Sequence, residues 1–153
     1  LFLNTNDRII NLKNVSNINI LKDRNRIIFN LNYNIVISTD REDQSKQISD
    51  YVYWDAINSE DLKGNLEHLG KSKYFKENFI KQIDGHGFIN KNEISSIKLS
   101  EKKYRVIFNL SHPVTFRDNQ GVERITSEFV YINCRNPQKY KEYVNYVQSE
   151  IGE

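Results

Sequence analysis

The sequence predicts an α+β protein in which an antiparallel β-meander followed by one helix is written twice in tandem. Three observations carry that prediction. First, Arg26-Ile27-Ile28-Phe29-Asn30-Leu31 recurs 79 positions later as Arg105-Val106-Ile107-Phe108-Asn109-Leu110. At the same spacing Ile10-Asn11 returns as Ile89-Asn90, and Val15-Ser16-Asn17-Ile18 as Ile94-Ser95-Ser96-Ile97. With one residue dropped, Ser49-Asp50-Tyr51-Val52-Tyr53 returns as Ser127-Glu128-Phe129-Val130-Tyr131. Self-similarity at a fixed spacing marks a repeated supersecondary unit. Second, the repeated segments alternate apolar and polar residues, the period of a half-buried strand. Third, each set of strands is followed by a capped stretch of helical period.

In the first copy, Ile9 and Ile10 open an extended stretch that breaks at Lys13-Asn14. Ile18 and Ile20 then alternate with Asn17 and Asn19. Lys22-Asp23-Arg24-Asn25 reads as a polar turn. The next strand, Arg26 to Tyr33, sets Ile27, Phe29 and Leu31 on one face and Arg26, Ile28 and Asn30 on the other. Thr39 to Lys46 reads as a charged loop, and Ile48 to Trp54 as a strand rich in β-formers. Asn58 or Ser59 caps a helix whose Leu62, Leu66 and Leu69 make one apolar stripe, ended by Gly70.

The second copy repeats this in different residues. Phe88-Ile89 opens it, and Ile94, Ile97 and Leu99 follow. Val106, Phe108 and Leu110 are the inward set. Asp118-Asn119-Gln120-Gly121 is a turn, and Ile125 to Ile132 the last strand. Asn136 caps a helix with Pro137 at its first position, and Tyr140, Tyr143, Val144, Val147 and Ile151 form its stripe. Residues 71–83 lack a counterpart in this copy. Tyr74, Phe75, Phe79 and Ile83 suggest a short amphipathic helix after Ser72, and Asp84-Gly85-His86-Gly87 a flexible joint. The expected organisation is therefore a first repeat over 1–70, a connecting helix and joint over 71–86, and a second repeat over 87–153. The repeats would share one core about a pseudo-two-fold axis, because a unit of about 70 residues rarely supplies a sufficient core alone. Superposing 8–70 on 87–148 would then bring Ile28 onto Ile107 and Leu66 onto Val144. Phe29, Phe108 and the single tryptophan, Trp54, are expected in the core.

Composition narrows the function classes. The chain has 153 residues, 27% of them charged, and a formal net charge of +2 spread evenly over both copies, unlike most dedicated nucleic-acid binders. Cys134 is the single cysteine, so no intrachain disulfide and no cysteine-based zinc site can form. No apolar run approaches the roughly 18 residues of a membrane span, and no signal-peptide pattern opens the sequence. A cytoplasmic protein without membrane contact is expected.

No catalytic constellation is visible. His68, His86 and His112 have no zinc-helix partners, and Cys134 has no evident base. Asp40, Glu42 and Asp43 lack the spacing of a calcium loop. No phosphate-cradling glycine loop is present. No catalytic residue, metal or cofactor is assigned, and a non-enzymatic role is preferred. The polar and aromatic residues kept in both copies define the candidate binding surface: Arg26, Asn30 and Tyr53 with Arg105, Asn109 and Tyr131. Their structural alternative is service in turns and on outer strand faces.

The order of elements resembles that of PUR-repeat and Whirly-type proteins, which bind single-stranded nucleic acid. The meander closed by a C-terminal helix is also similar to bacterial pleckstrin-homology-like domains. The likeness is one of element order over the whole chain, with none of those families' motifs. The expected function is a binding or assembly module that offers a sheet face or edge to a protein partner or to itself. The alternative is single-stranded nucleic-acid binding.

Overall fold

The computed structural model describes residues 1–38, 46–117 and 124–152. The chain opens with a ribbon, β1 (Phe2–Asn4) paired to β2 (Ile9–Asn11), with Leu3 opposite Ile10. The Asn11 side chain accepts a hydrogen bond from the Lys13 amide and starts a 3-10 turn over Leu12–Asn14. The chain leaves that turn as β3 (Val15–Leu21) in a different sheet. Asn25 closes the next turn at φ 51° and ψ 48°, the left-handed region that Asn tolerates better than most residues. β4 (Arg26–Ser38) and β5 (Lys46–Asp55) complete the meander. In α1 (Ser59–Gly70), Asn58 caps the Asp61 amide, and Glu60 and Asp61 suit the positive helix end.

Ser72 caps a short helix, α2 (Lys73–Asn78), and the element order then recurs. β6 (Phe79–Lys81) pairs with β7 (Gly87–Asn90), setting Ile80 opposite Ile89. A 3-10 turn capped by Asn90 leads into β8 (Ile94–Ser100), then β9 (Arg105–Arg117) and β10 (Arg124–Asn133). α3 (Pro137–Ile151) is capped by Asn136 with Pro137 at its start. Details recur with the order. Tyr104 occupies a left-handed turn at φ 51° and ψ 47°, as Asn25 does. Ile97 faces Phe108 as Ile18 faces Phe29, and both ladders shift register at the same place, Val15/Asn17 and Ile94/Ser96. The Ser16 and Ser95 hydroxyls donate to the carbonyls of Asn30 and Asn109. The amides of Ala56 and Cys134 donate to the carbonyls of Asn25 and Tyr104, both at 2.8 Å.

The fold is α+β, with three antiparallel sheets among the described residues. β7 pairs with β6 on one side and with β3 on the other, placing Phe88 opposite Ile18. This makes a five-stranded sheet of order β5-β4-β3-β7-β6 and leaves two smaller ones, β1-β2 and β10-β9-β8. The pairing between the halves is one-sided. The expected two-fold packing would set β2 against β8 to match β7 against β3, but among the described residues β2 pairs with β1 and β8 with β9 alone.

The β6–β7 ribbon has one face in each of two cores. Phe79 and the half-buried Phe88 pack with Ile18, Ile20, Phe29, Trp54, Leu62 and Leu69. Ile80 and Ile89 pack with Val106, Phe108, Ile132, Tyr143 and Val147. Phe29 and Phe108 are fully buried, and Trp54 is buried, as the inward-face reading requires.

Other expectations change. The 71–86 segment is not only a connector: Phe79 lies in a strand, and β6 stands to β7 as β1 stands to β2. Ile28 and Asn30, expected on an outer face, are buried, because β9 of the second half approaches β3 and β4. In α3, Tyr143 and Val147 are buried and Tyr140 and Val144 half-buried, but Ile151 is exposed. The turn at 118–121 and most of the loop at 39–46 lie outside the described residues.

Candidate functional site

Strand register decides which of the expected surface residues meet. The β4–β5 ladder sets Arg26 opposite Asp55 and Ile28 opposite Tyr53. Two-residue periodicity therefore puts Arg26 and Tyr53 on one face. The Arg26 guanidinium carbon lies 4.1 Å from the centre of the Tyr53 ring. Its Nε and Nη2 donate to the Asp55 carboxylate at 2.5 and 3.1 Å. The hydrogen bond that Arg26 donates to Asp55, assisted by that carboxylate's charge, raises the Arg26 pKa above its ordinary value against the opposing effect of burial.

The second half builds the same cluster with one change of charge. Arg105 lies 4.9 Å from the Tyr131 ring centre, and its Nε donates to Asn133 Oδ1 at 2.8 Å. Asn133 stands where the first half has Asp55, so this guanidinium is bonded to a neutral amide. Phe129 packs 4.8 Å from Tyr131, as Tyr51 packs 6.0 Å from Tyr53. Tyr53, Phe129 and Tyr131 are exposed. Each cluster offers exposed ring surface to a flat group, and Arg105, bonded to an amide rather than to a carboxylate, can also meet an anionic one. Asn30 does not join the first cluster's surface: it is buried, and its Nδ2 donates to Asn19 Oδ1 at 2.8 Å. Asn109 is half-buried and donates to Ser96 Oγ at 3.0 Å.

A second feature was not foreseen from sequence. Among the described residues, β3 has a neighbour on each side, whereas β8 has only β9. Ser16, Asn17, Ile18 and Ile20 of β3 are all buried, while Ser95, Ser96 and Leu99 of β8 are exposed and Ile97 half-buried. Alternation reveals a strand but not how many neighbours it has, so the sequence carries no direct signal for this edge.

A cleft of about 510 Å³ runs between the β6–β7 connection and α3, lined by Lys81, Ile83, Lys139, Glu142, Tyr143 and Tyr146. Burial pushes the Tyr143 and Tyr146 phenols above their ordinary pKa, so they serve there as neutral hydrogen-bonding groups. The histidines have separate partners: His68 Nε2 lies 3.1 Å from the Asn4 carbonyl, His112 Nδ1 3.8 Å from Glu93, and the His86 carbonyl accepts from the Ile20 amide. Cys134 is buried, its thiol 3.8 Å from the Ile132 carbonyl. Among the described residues, no three His, Cys, Asp or Glu side chains gather as a metal site, and no helix is long and apolar enough to cross a membrane.

No protein-family model, no curated protein and no solved structure matches the chain.

Proposed function

We propose that the chain is a non-enzymatic assembly module, built by tandem duplication of a ribbon–meander–helix unit, that engages a protein partner by strand addition at the open edge of β8. The contrast between β3 and β8 carries this reading: the same strand in the same register has its outer edge paired in one half and open in the other. The matched left-handed turns at Asn25 and Tyr104 and the matched ladder shifts support the duplication. The equivalence of β1 with β6 favours a unit boundary near residue 78 rather than 70 or 86. An open edge takes main-chain hydrogen bonds from any extended segment, and alternate side-chain pockets select among segments.

One observation favours a second reading, single-stranded nucleic-acid binding: Arg105 lies beside the exposed rings of Tyr131 and Phe129 without a carboxylate in Asp55's place. There the rings would stack on bases and the guanidinium would meet phosphate. The near-even charge ranks it second.

A labelled peptide of residues 79–91, which carries the strand that pairs with β3, and a labelled random single-stranded oligonucleotide separate the two by fluorescence anisotropy. At physiological salt the peptide is expected to bind and the oligonucleotide not to bind, with peptide binding lost in Leu99→Lys. Oligonucleotide binding that is lost in Arg105→Ala, with a flattened salt slope and no peptide binding, would install the second reading instead.

A further inference from the structure

We infer that the partner is a second copy of this chain, docked head to tail so that the β1–β2 ribbon of one copy completes the β10-β9-β8 sheet of the other. The inference rests on the strand-addition reading above and names its occupant. The five-stranded sheet is a three-stranded meander, β5-β4-β3, joined to a two-stranded ribbon, β7-β6. The pieces left over are a three-stranded meander, β10-β9-β8, and a two-stranded ribbon, β1-β2. They are the same two pieces, unjoined.

The ribbons correspond residue by residue. Phe2 faces Asn11 as Phe79 faces Asn90, and Leu3 faces Ile10 as Ile80 faces Ile89. Each is also held by the helix of its own unit: α1 brings His68 to the Asn4 carbonyl, and α3 brings Tyr143 to the Lys81 carbonyl. Their outer faces differ in what covers them. Phe79 is 4% exposed and Phe2 62%. The receiving strands differ in the same sense, with Ile20 at 9% and Leu99 at 46%. Ile97, Leu99, Val144, Val147 and Ile151 line an apolar groove of about 150 Å³. In the first half the corresponding Ile18, Ile20, Leu66 and Leu69 pack in the cluster that holds Phe79 and Phe88. Phe2 and Ile9 of a second copy are the equivalent plugs.

The internal ladder supplies the register. Ile18–Phe88 and Asn17–Ile89 become Ile97–Ile9 and Ser96–Ile10 between copies. Asn11 takes the place of Asn90, whose Nδ2 donates to the Val15 carbonyl at 2.9 Å, and the acceptor becomes the Ile94 carbonyl. Arg8 stands where the internal ladder has Gly87. A Cβ at Gly87 would lie 1.9 Å from the Ile18 carbonyl oxygen, so the ladder between copies ends at Ile9. The two surfaces differ, so the contact is heterologous, and repeating it yields a ring or a filament.

Light scattering across a concentration series tests this with two exposed-site variants, Phe2→Glu and Leu99→Lys. The parent chain is expected to rise above the monomer mass with concentration. Each variant alone should stay monomeric, because each has lost one surface. An equimolar mixture should give twice the monomer mass and stop there, because one intact ribbon meets one intact groove. As a second measurement that does not rely on those substitutions, Ile9→Cys chains mixed with Ile97→Cys chains should form an intermolecular disulfide under mild oxidation, and Ile9→Cys mixed with Ser95→Cys should not. A parent that stays monomeric at all concentrations, or a mixture that fails to complement while the parent assembles, overturns the inference. If the 79–91 peptide still binds in that case, the strand-addition reading stands with a different partner; if it does not, both fall.

Discussion

Tyr143 donates its phenolic hydroxyl to the Lys81 carbonyl at 2.9 Å, and one turn further along α3 the Tyr146 hydroxyl accepts from the Lys81 amide at 2.8 Å. β6 is an edge strand, whose outer backbone groups would otherwise offer a template to another chain. Two side chains thus occupy both polar backbone groups of one residue. Tyr143→Phe removes a hydrogen bond at a buried site and is expected to cost about 0.5–1.5 kcal/mol in urea unfolding. An unchanged midpoint would mean that the Tyr143 hydroxyl contributes nothing to stability.

The same residue sets an alkaline limit. Desolvation, the main cause, raises the Tyr143 pKa in the folded state, while the unfolded chain titrates near the ordinary value of about 10. The folded state therefore holds its proton where the unfolded state loses it. That contribution is intact below about pH 10 and declines as pH climbs through the unfolded value toward the folded one. Stability measured from pH 8 to 11 should fall at the upper end, and less steeply in Tyr143→Phe. Equal slopes in the two proteins would assign the alkaline loss to other groups.

Phe29 and Phe108 occupy the same place in two different cores, and the β6–β7 ribbon has a face in each. Replacing either by Ala should cost about 3–5 kcal/mol. Trp54 lies only in the first core, so its fluorescence reports that core. Because the shared ribbon ties the cores together, Phe108→Ala should lower the Trp54-detected transition along with the one seen by circular dichroism. A Trp54 transition left at its parental midpoint would mean that the two halves unfold independently.

Strand and helix identities were legible because the two halves of the sequence spell the same alternation and the same caps: Asn58 and Asn136 cap as expected, and Phe29 and Phe108 point inward. Pairing between the halves was not legible. Nothing in Gly87-Phe88-Ile89 distinguishes a strand with one neighbour from a strand with two. The three-residue strands of the ribbons are too short for a periodic signal, so the sequence alone does not separate β6 from the connecting segment before it. Asn30 illustrates the cost to the candidate site. Its polarity suggests a surface, but its neighbours across the sheet are Asn19 and Ser16, and of the three Asn30 and Ser16 are buried and Asn19 half-buried. Arg26 with Tyr53 and Arg105 with Tyr131 did meet, because strand alternation and antiparallel register leave them adjacent on one face.

Gly87 is the residue on which the joined sheet depends. It ends the β3–β7 ladder opposite Asn19, and the Ile18 carbonyl that a Cβ would strike is backbone inside a paired strand, unable to swing aside as a side chain could. Gly87→Ala must therefore move β7 away from β3, and that movement shifts Phe88 in one core and Ile89 in the other. Overpacking of this kind costs about 1–3 kcal/mol and occasionally more; with two cores disturbed, the upper end is expected. Gly64 provides the control. It lies within α1, where a methyl group added at its Cα would meet nothing inside 4 Å, so Gly64→Ala should stabilise by roughly 0.5–1 kcal/mol through helix propensity. Urea unfolding of the two variants should move in opposite directions from the parent. A Gly87→Ala chain as stable as the parent would show that the close β3–β7 approach does not hold the β7-β6 ribbon to the β5-β4-β3 meander, and would remove the template on which head-to-tail docking is argued.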